Sequence, residues 1–143
     1  TKKNHRLQLE IAKLISTHLA PAKFVFIGGC RNERDHQRVE ELKSYASELG
    51  ISQSTQFLIN LPFPSLMMQL SVAHVGLHTM FEEHFGIGIV ELMAGGLITI
   101  AHNSGGPRAD IIRPGKSKRI EITKCSLSFF SRWLFGFQCS RIR

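Results

Sequence analysis

Two carboxylates, Glu83 and Glu91, bracket an apolar, glycine-containing run within FEEHFGIGIVELMAGG (residues 81–96), and no other charge lies between them. If a helix begins inside this run, the N–H groups of Phe85, Gly86 and Ile87 are left without intrahelical acceptors and favour an anion. Gly86 and Gly88 remove side chains that would block a phosphate from approaching. An acid set back by two turns can accept hydrogen bonds from ribose hydroxyls, as a distant acid does in dinucleotide folds. The stretch therefore suits a phosphate at the helix start, with hydroxyl-bearing groups gripped by an acid on either side. The plainer alternative is that Glu83 complements the helix dipole and Glu91 is a solvated surface residue.

The elements that must position these acids are legible on either side. HRLQLEIAKLISTHL places Leu7, Ile11, Leu14, Ile15 and Leu19 at helical spacing. KFVFIGG reads as an apolar strand, ERDHQRVEELKSYASELG as a helix closed by Gly50, and TQFLIN as a second strand. PSLMMQLSVA is expected to be a short helix with Pro64 in its first turn and Met67, Met68 and Leu70 in the core. HVGLHT, GIGIVELMAGG and LITIAHN then read as strand, helix and strand. Apolar strands alternating with helices predict an α/β fold: a Rossmann-like parallel sheet covered on both faces. Ligands of such sheets bind beyond the carboxyl ends of the strands. Those ends are Gly28-Gly29-Cys30-Arg31-Asn32, Asn60, His78-Thr79 and His102-Asn103-Ser104-Gly105-Gly106.

A length of 143 residues, 43% hydrophobic and 20% charged, describes one ordinary globular domain. The net charge of +7 is not spread over it. Residues 1–112 carry ten Lys/Arg and ten Asp/Glu, whereas residues 113–143 carry eight Lys/Arg against the single acid Glu121. The boundary is therefore drawn with a Rossmann-like unit at 1–112 and a divergent basic and apolar tail at 113–143. A basic tail alone is weak support for nucleic-acid binding, so nucleic acid is not expected as a partner. An amphipathic interfacial helix would let the tail meet a membrane surface, and a disordered extension is the other reading. Cys30, Cys125 and Cys139 form no C-x-x-C pair, which fits a reducing compartment. No run reaches the roughly 18 apolar residues of a membrane span. The first residue is Thr1, not Met, so the chain is expected to be a fragment.

The Glu83-x7-Glu91 spacing resembles the E-x7-E motif of retaining glycosyltransferases built from two facing Rossmann-like domains (GT-B type). More narrowly, FVFIGGCRN, GLHTMFEEHFGIGIVE and IAHNSGGPRADII resemble the endoplasmic-reticulum α-1,2-mannosyltransferases that extend dolichol-linked oligosaccharide from GDP-mannose. The resemblance runs from about Lys3 to Ile112. It implies that the chain is the C-terminal, donor-binding half of such an enzyme, lacking the N-terminal acceptor domain, and acts at the cytosolic face of the endoplasmic reticulum. It also implies roles residue by residue. Glu83 would contact hydroxyls of the transferred sugar, with His84 beside it, and Glu91 the ribose of GDP. Phe85 and Gly86, with Ile87 next in line, would offer backbone N–H groups to the sugar and diphosphate. Lys3 matches the diphosphate-neutralising lysine, while its partner arginine, normally a few residues upstream, has no counterpart here. Gly28 and Gly29 would shape the exit of the first strand, and Asn103-Ser104-Gly105-Gly106-Pro107 would close the far side. The tail does not continue the family's pattern, which would bring another strand and closing helices. A catalytically silent nucleotide-binding or membrane-binding module is the alternative that these departures raise.

No D-x-D is present, so no metal or other cofactor is expected. His74 and His78, read on one strand face, would stand about 13 Å apart. Joining them to His84 or His102 in a metal site is less favoured than core or crevice roles. Cys30 reads as a small crevice residue and not a nucleophile. PGKSKR lacks the G-x-x-x-x-G-K frame of a phosphate loop.

Overall fold

The computed structural model describes residues 3–18, 21–111 and, for the backbone, 120–122. Helix α1 (His5–His18) leads into strand β1 (Phe24–Gly28), helix α2 (Glu33–Glu48) and strand β2 (Thr55–Ile59). Helix α3 (Phe63–Val72), strand β3 (Val75–His78), helix α4 (Ile87–Ala94) and strand β4 (Ile98–His102) follow, with a π-helical turn at Pro107–Ile111 and strand β5 (Ile120–Ile122). Every ladder among the described residues is parallel, in keeping with largely apolar strands joined by helices.

Local chemistry sets the boundaries. Asn32, expected among the crevice residues, instead caps α2: its side chain accepts from the Asp35 N–H at 3.0 Å. Gly50, at φ +70°, ends the same helix in the left-handed region, and Pro64 sits in the first turn of α3.

Leu9 and Ala12 of α1, Ala46 of α2 and Ile51 form one core cluster, with Phe24, Phe26 and Phe57 packed against it. Phe26 and Phe57 stack at 5.2 Å. Each fully buried aliphatic here stabilises by about 1.5–3 kcal/mol. A second cluster joins Ile89 of α4 to Ala101 of β4, flanked by Met93 and Ile111.

Three expectations need correcting. The sheet is not one continuous ladder: β1 pairs with β2, and β3, β4 and β5 form a separate ladder. Helix α1 links the two, because Gln8 donates to the Leu77 carbonyl at 3.3 Å while Leu9 packs over β1 and β2. Nor, among the described residues, are both faces of the β1–β2 ladder covered, although Thr99, Ile100 and Ala101, on alternating faces of β4, are all buried. Phe24 and Phe26 point into the core, but Val25 and Ile27, on the opposite face, remain about two-fifths exposed. Met67 and Met68 are not core residues. They are exposed, Met68 to 67%, and only Leu70 of that trio is buried, because α3 inserts a single edge of its surface.

Strand β5 falls within the segment read as a divergent tail and pairs in parallel with β4, Ile100 opposite Ile120. Its sequence, Ile-Glu-Ile, alternates β-branched residues around an acid, a pattern too short to stand out among basic neighbours. The rest of residues 113–143, with the amphipathic and membrane-surface expectations placed there, lies outside the described residues. Among the described residues, no helix is long and apolar enough to cross a membrane.

The exits of β1 and β2 are tied by one side chain. Asn60 Oδ1 accepts from the Cys30 N–H at 2.8 Å, and its Nδ2 donates to the Cys30 carbonyl at 2.9 Å. Asn60 sits at φ +54°, a conformation asparagine tolerates well. Asn60→Ala should therefore lower stability by about 2 kcal/mol, the sum of two modest hydrogen bonds. Urea denaturation followed by circular dichroism measures this, and a change below a few tenths of a kcal/mol would refute the clasp.

Candidate active site

Helix α4 runs back along β3 because Gly76 has no side chain: a Cβ there would lie 2.7 Å from the Leu92 methyls. The helix start is thereby held over the carboxyl end of the strand, and a Cβ on Gly88 would come within 3.9 Å of His78. Gly86 caps α4 at φ +87°, and its carbonyl accepts from Ile89 and Val90 at 2.9 and 3.2 Å. The N–H groups of Ile87 and Gly88 precede any intrahelical acceptor, so the positive end of the helix faces outward. Phe85 and Ile87 are themselves exposed, at 59% and 64%.

The loop between β3 and α4 is fastened to the loop after β4 at three points. The Gly106 N–H donates to the Glu83 carbonyl at 2.8 Å, and the Glu82 N–H donates to Ser104 Oγ at 2.8 Å. Ser104 Oγ also lies 2.9 Å from His102 Nδ1. Phe81 packs edge-on to the His102 ring at 5.2 Å. Ser104 is thus committed to holding the loops together, while Gly105, at φ +56°, and Gly106 let the two backbones touch. Asn103 is half-buried in the same turn.

Glu83 is the best-supported acid. Its Oε1 accepts from the His84 N–H at 3.0 Å, and its Oε2 lies 3.5 Å from His78 Nε2. Both side chains are about one-fifth exposed. Burial lowers the His78 pKa, as does the Lys3 charge, while Glu83 opposes them; the imidazole is neutral near pH 7. His84 points no buried group at the crevice and is exposed. Glu91 is exposed on α4, three residues beyond Gly88 on the same helix face, and among the described residues it forms no ion pair.

Lys3 reaches this end of the fold through its backbone. Thr79, 3% exposed, donates its hydroxyl to the Lys3 carbonyl at 2.9 Å and lies 3.2 Å from that of Asn4. The exposed lysine is therefore fixed beside the exit of β3, one residue beyond His78. Gly28 and Gly29 lie at the end of the other ladder, where Gly28 has open space around it and Gly29 faces the Asn60 side chain. Cys30 is buried, and burial, then Asp35 and Glu33, raise its thiol pKa, which opposes thiolate chemistry.

The structure thus gathers Lys3, Glu83, His84, Phe85, Gly86, Ile87, Ser104 and Gly105 at one end of β3 and β4. His78 was expected as a core or crevice residue, and its contact with Glu83 was not foreseen. The sequence shows it as a strand end, and only the turn at Phe81-Glu82 brings Glu83 back to it.

The sequence profile of the glycosyl transferases group 1 family matches residues 1–126. The chain is 49% identical over 118 residues to the human GDP-Man:Man(3)GlcNAc(2)-PP-Dol alpha-1,2-mannosyltransferase, covering 79% of this chain and 24% of that protein. It is 51% identical over 117 residues to the Xenopus tropicalis protein of the same name, with the same coverage. The chain spans about a quarter of the length of these curated relatives. Among solved structures, Anabaena Alr3699/HepE in complex with UDP-glucose superposes with a TM-score of 0.72 at 20% identity, over 94% of this chain and 35% of that one.

Proposed function

The chain belongs to the glycosyl transferases group 1 family, and from that premise we propose that it is the donor-binding half of a retaining mannosyltransferase. Its fold is one Rossmann-like half of the two-lobed GT-B architecture. The donor in this reading is GDP-mannose, and the acceptor a dolichol-linked oligosaccharide presented by an N-terminal lobe at the cytosolic face of the endoplasmic reticulum.

One observation carries the reading: Glu83, the start of α4 and Lys3 converge at the carboxyl end of β3. Transfer breaks the bond between the anomeric carbon and the diphosphate, so positive charge grows on the sugar and negative charge on the leaving group. The Lys3 ammonium and the exposed N–H groups of α4 stabilise the departing diphosphate. Phe85 and Gly86 line its approach through their backbone. Glu83 accepts hydrogen bonds from mannose hydroxyls and holds the ring for attack, with His84 at the rim. Glu91, one turn further along α4, accepts from the ribose. Gly28 and Gly29 border the base side, and Asn103, Ser104 and Gly105 bound the sugar side. No metal ion is needed for this division of labour.

Calorimetric titration of the chain with GDP, GDP-mannose and UDP tests it. GDP and GDP-mannose should bind more tightly than UDP. Glu91→Ala should weaken both guanine ligands about tenfold, the loss of a pair of hydrogen bonds to a charged acceptor. A folded chain, verified by far-ultraviolet circular dichroism, that binds none of the three would overturn the assignment.

A further inference from the structure

We propose that His78 is a positioning residue that sets the sugar-gripping carboxylate of Glu83, and so governs recognition of the hexose and not of the nucleotide. The inference rests on the donor-site reading above and deepens it.

The geometry around Glu83 is two-handed. One oxygen is fixed by the backbone N–H of His84 at 3.0 Å, a bond that any residue at position 84 except proline would supply. The other oxygen faces His78 Nε2 at 3.5 Å. His78 is the only side chain among the described residues that makes an ion-pair contact with this carboxylate. The imidazole is anchored on a strand: the His78 backbone pairs in register with Ala101 of β4. Its Nδ1 is buried and has no partner beyond its own backbone.

The carboxylate decides the tautomer. A bare Nε2 would set its lone pair against the negative Glu83 oxygen 3.5 Å away, whereas a proton on Nε2 points at it. The ring is therefore neutral, with Nε2–H turned toward the acid. Such a donor orients the carboxylate without cancelling its charge. A lysine or arginine at the same place would neutralise the negative charge that sugar hydroxyls, and developing positive charge on the ring, require. With one oxygen bonded to the His84 N–H and the other faced by His78 Nε2 at 3.5 Å, the remaining lone pairs of Glu83 are left for the ligand. The Glu83 carbonyl, meanwhile, accepts from Gly106. The acid is thus fixed at its backbone as well as its head.

The nucleotide needs none of this. Its contacts in the reading above come from Lys3, the start of α4 and Glu91. His78 should therefore separate two affinities that a general loss of structure would lower together.

The test is titration of the chain and its variants with GDP and GDP-mannose in parallel. His78→Ala should lower affinity for GDP-mannose about tenfold while leaving GDP within about twofold, the effect of losing the polar contact of Nε2 with the Glu83 carboxylate. His78→Gln, whose Nε2–H can reach the same oxygen, should restore most of the loss. Glu83→Gln combined with His78→Ala should bind GDP-mannose no more weakly than Glu83→Gln alone, because the histidine acts through the acid. In a His78→Ala variant that still binds, equal weakening of both ligands or no loss would overturn the inference, as would additive effects in the double variant. If His78→Ala binds neither ligand, the His78→Gln variant decides: GDP-mannose affinity within about twofold of the unsubstituted chain supports the positioning role, and loss of both ligands overturns it. A folded unsubstituted chain that binds neither ligand refutes the donor-site reading itself, a result distinct from any of these.

Discussion

Gly106→Ala should both destabilise the fold and abolish donor binding. A Cβ at this position would collide with the His84 carbonyl oxygen and would stand 2.7 Å from its carbon and 3.1 Å from Phe85 Cα. All of these are backbone atoms, which cannot swing away as a flexible side chain would. The two loops would have to separate, taking with them the Gly106 to Glu83 hydrogen bond and the seat of the Glu83 carboxylate. We expect a loss of about 3 kcal/mol or more, at the upper end of overpacking costs, read as a lower urea midpoint at unchanged slope. Gly28→Ala supplies the control, because nothing lies within 4 Å of a Cβ there. Its stability should stay within about 1 kcal/mol of the parent. Comparable losses at the two glycines would show that contact between the loops is not what Gly106 provides.

The second large effect belongs to the chemistry. In the chain joined to an acceptor-binding lobe, Glu83→Ala should reduce mannose transfer by about 10²–10³-fold, the cost of removing one preorganised polar contact to the reacting sugar. Stability should change far less, because the Glu83 side chain makes one hydrogen bond, to the N–H of His84, and the Gly106 bond uses the backbone. Rates measured by radiolabelled mannose incorporation would check the first part and thermal melting the second. Transfer at the parental rate would remove Glu83 from the mechanism.

Much of the fold was legible because its strands and helices differ in period. Phe24 to Gly28 is an unbroken apolar run and Ile98 to His102 is apolar but for Thr99 and His102, whereas α2 carries its apolar residues on a single stripe. The opening acid pair was legible for a different reason: charge at both ends of an apolar, glycine-bearing run is unusual enough to demand a ligand or a cap. What stayed hidden depended on tertiary contact. Helical spacing could not reveal that Met68 faces solvent, since an apolar residue looks the same whether or not a neighbour arrives to cover it. The split between the ladders leaves no mark on either strand. Asn32 was grouped with the crevice when its spacing to Asp35 could equally have announced an N-cap. The pairing of His78 with Glu83 needed a positive-φ turn at Glu82, φ +50°, which is uncommon for a glutamate and invisible in composition.

The hydroxyl of Thr79 reaches back 76 residues to hold Lys3. On a ribosome that span is also an interval of time. At 5–20 residues per second, the lysine leaves the exit tunnel roughly 4–15 s before the threonine that fixes it. The β1–α2–β2 unit can close within that interval, since all its ladder contacts are already synthesised. Lys3 is thus among the first residues of this segment to appear, yet it is seated only once the end of β3 has been made. The corner that gathers Lys3 and Glu83 is therefore a late product of biosynthesis, completed only when β4 and its loop have followed β3.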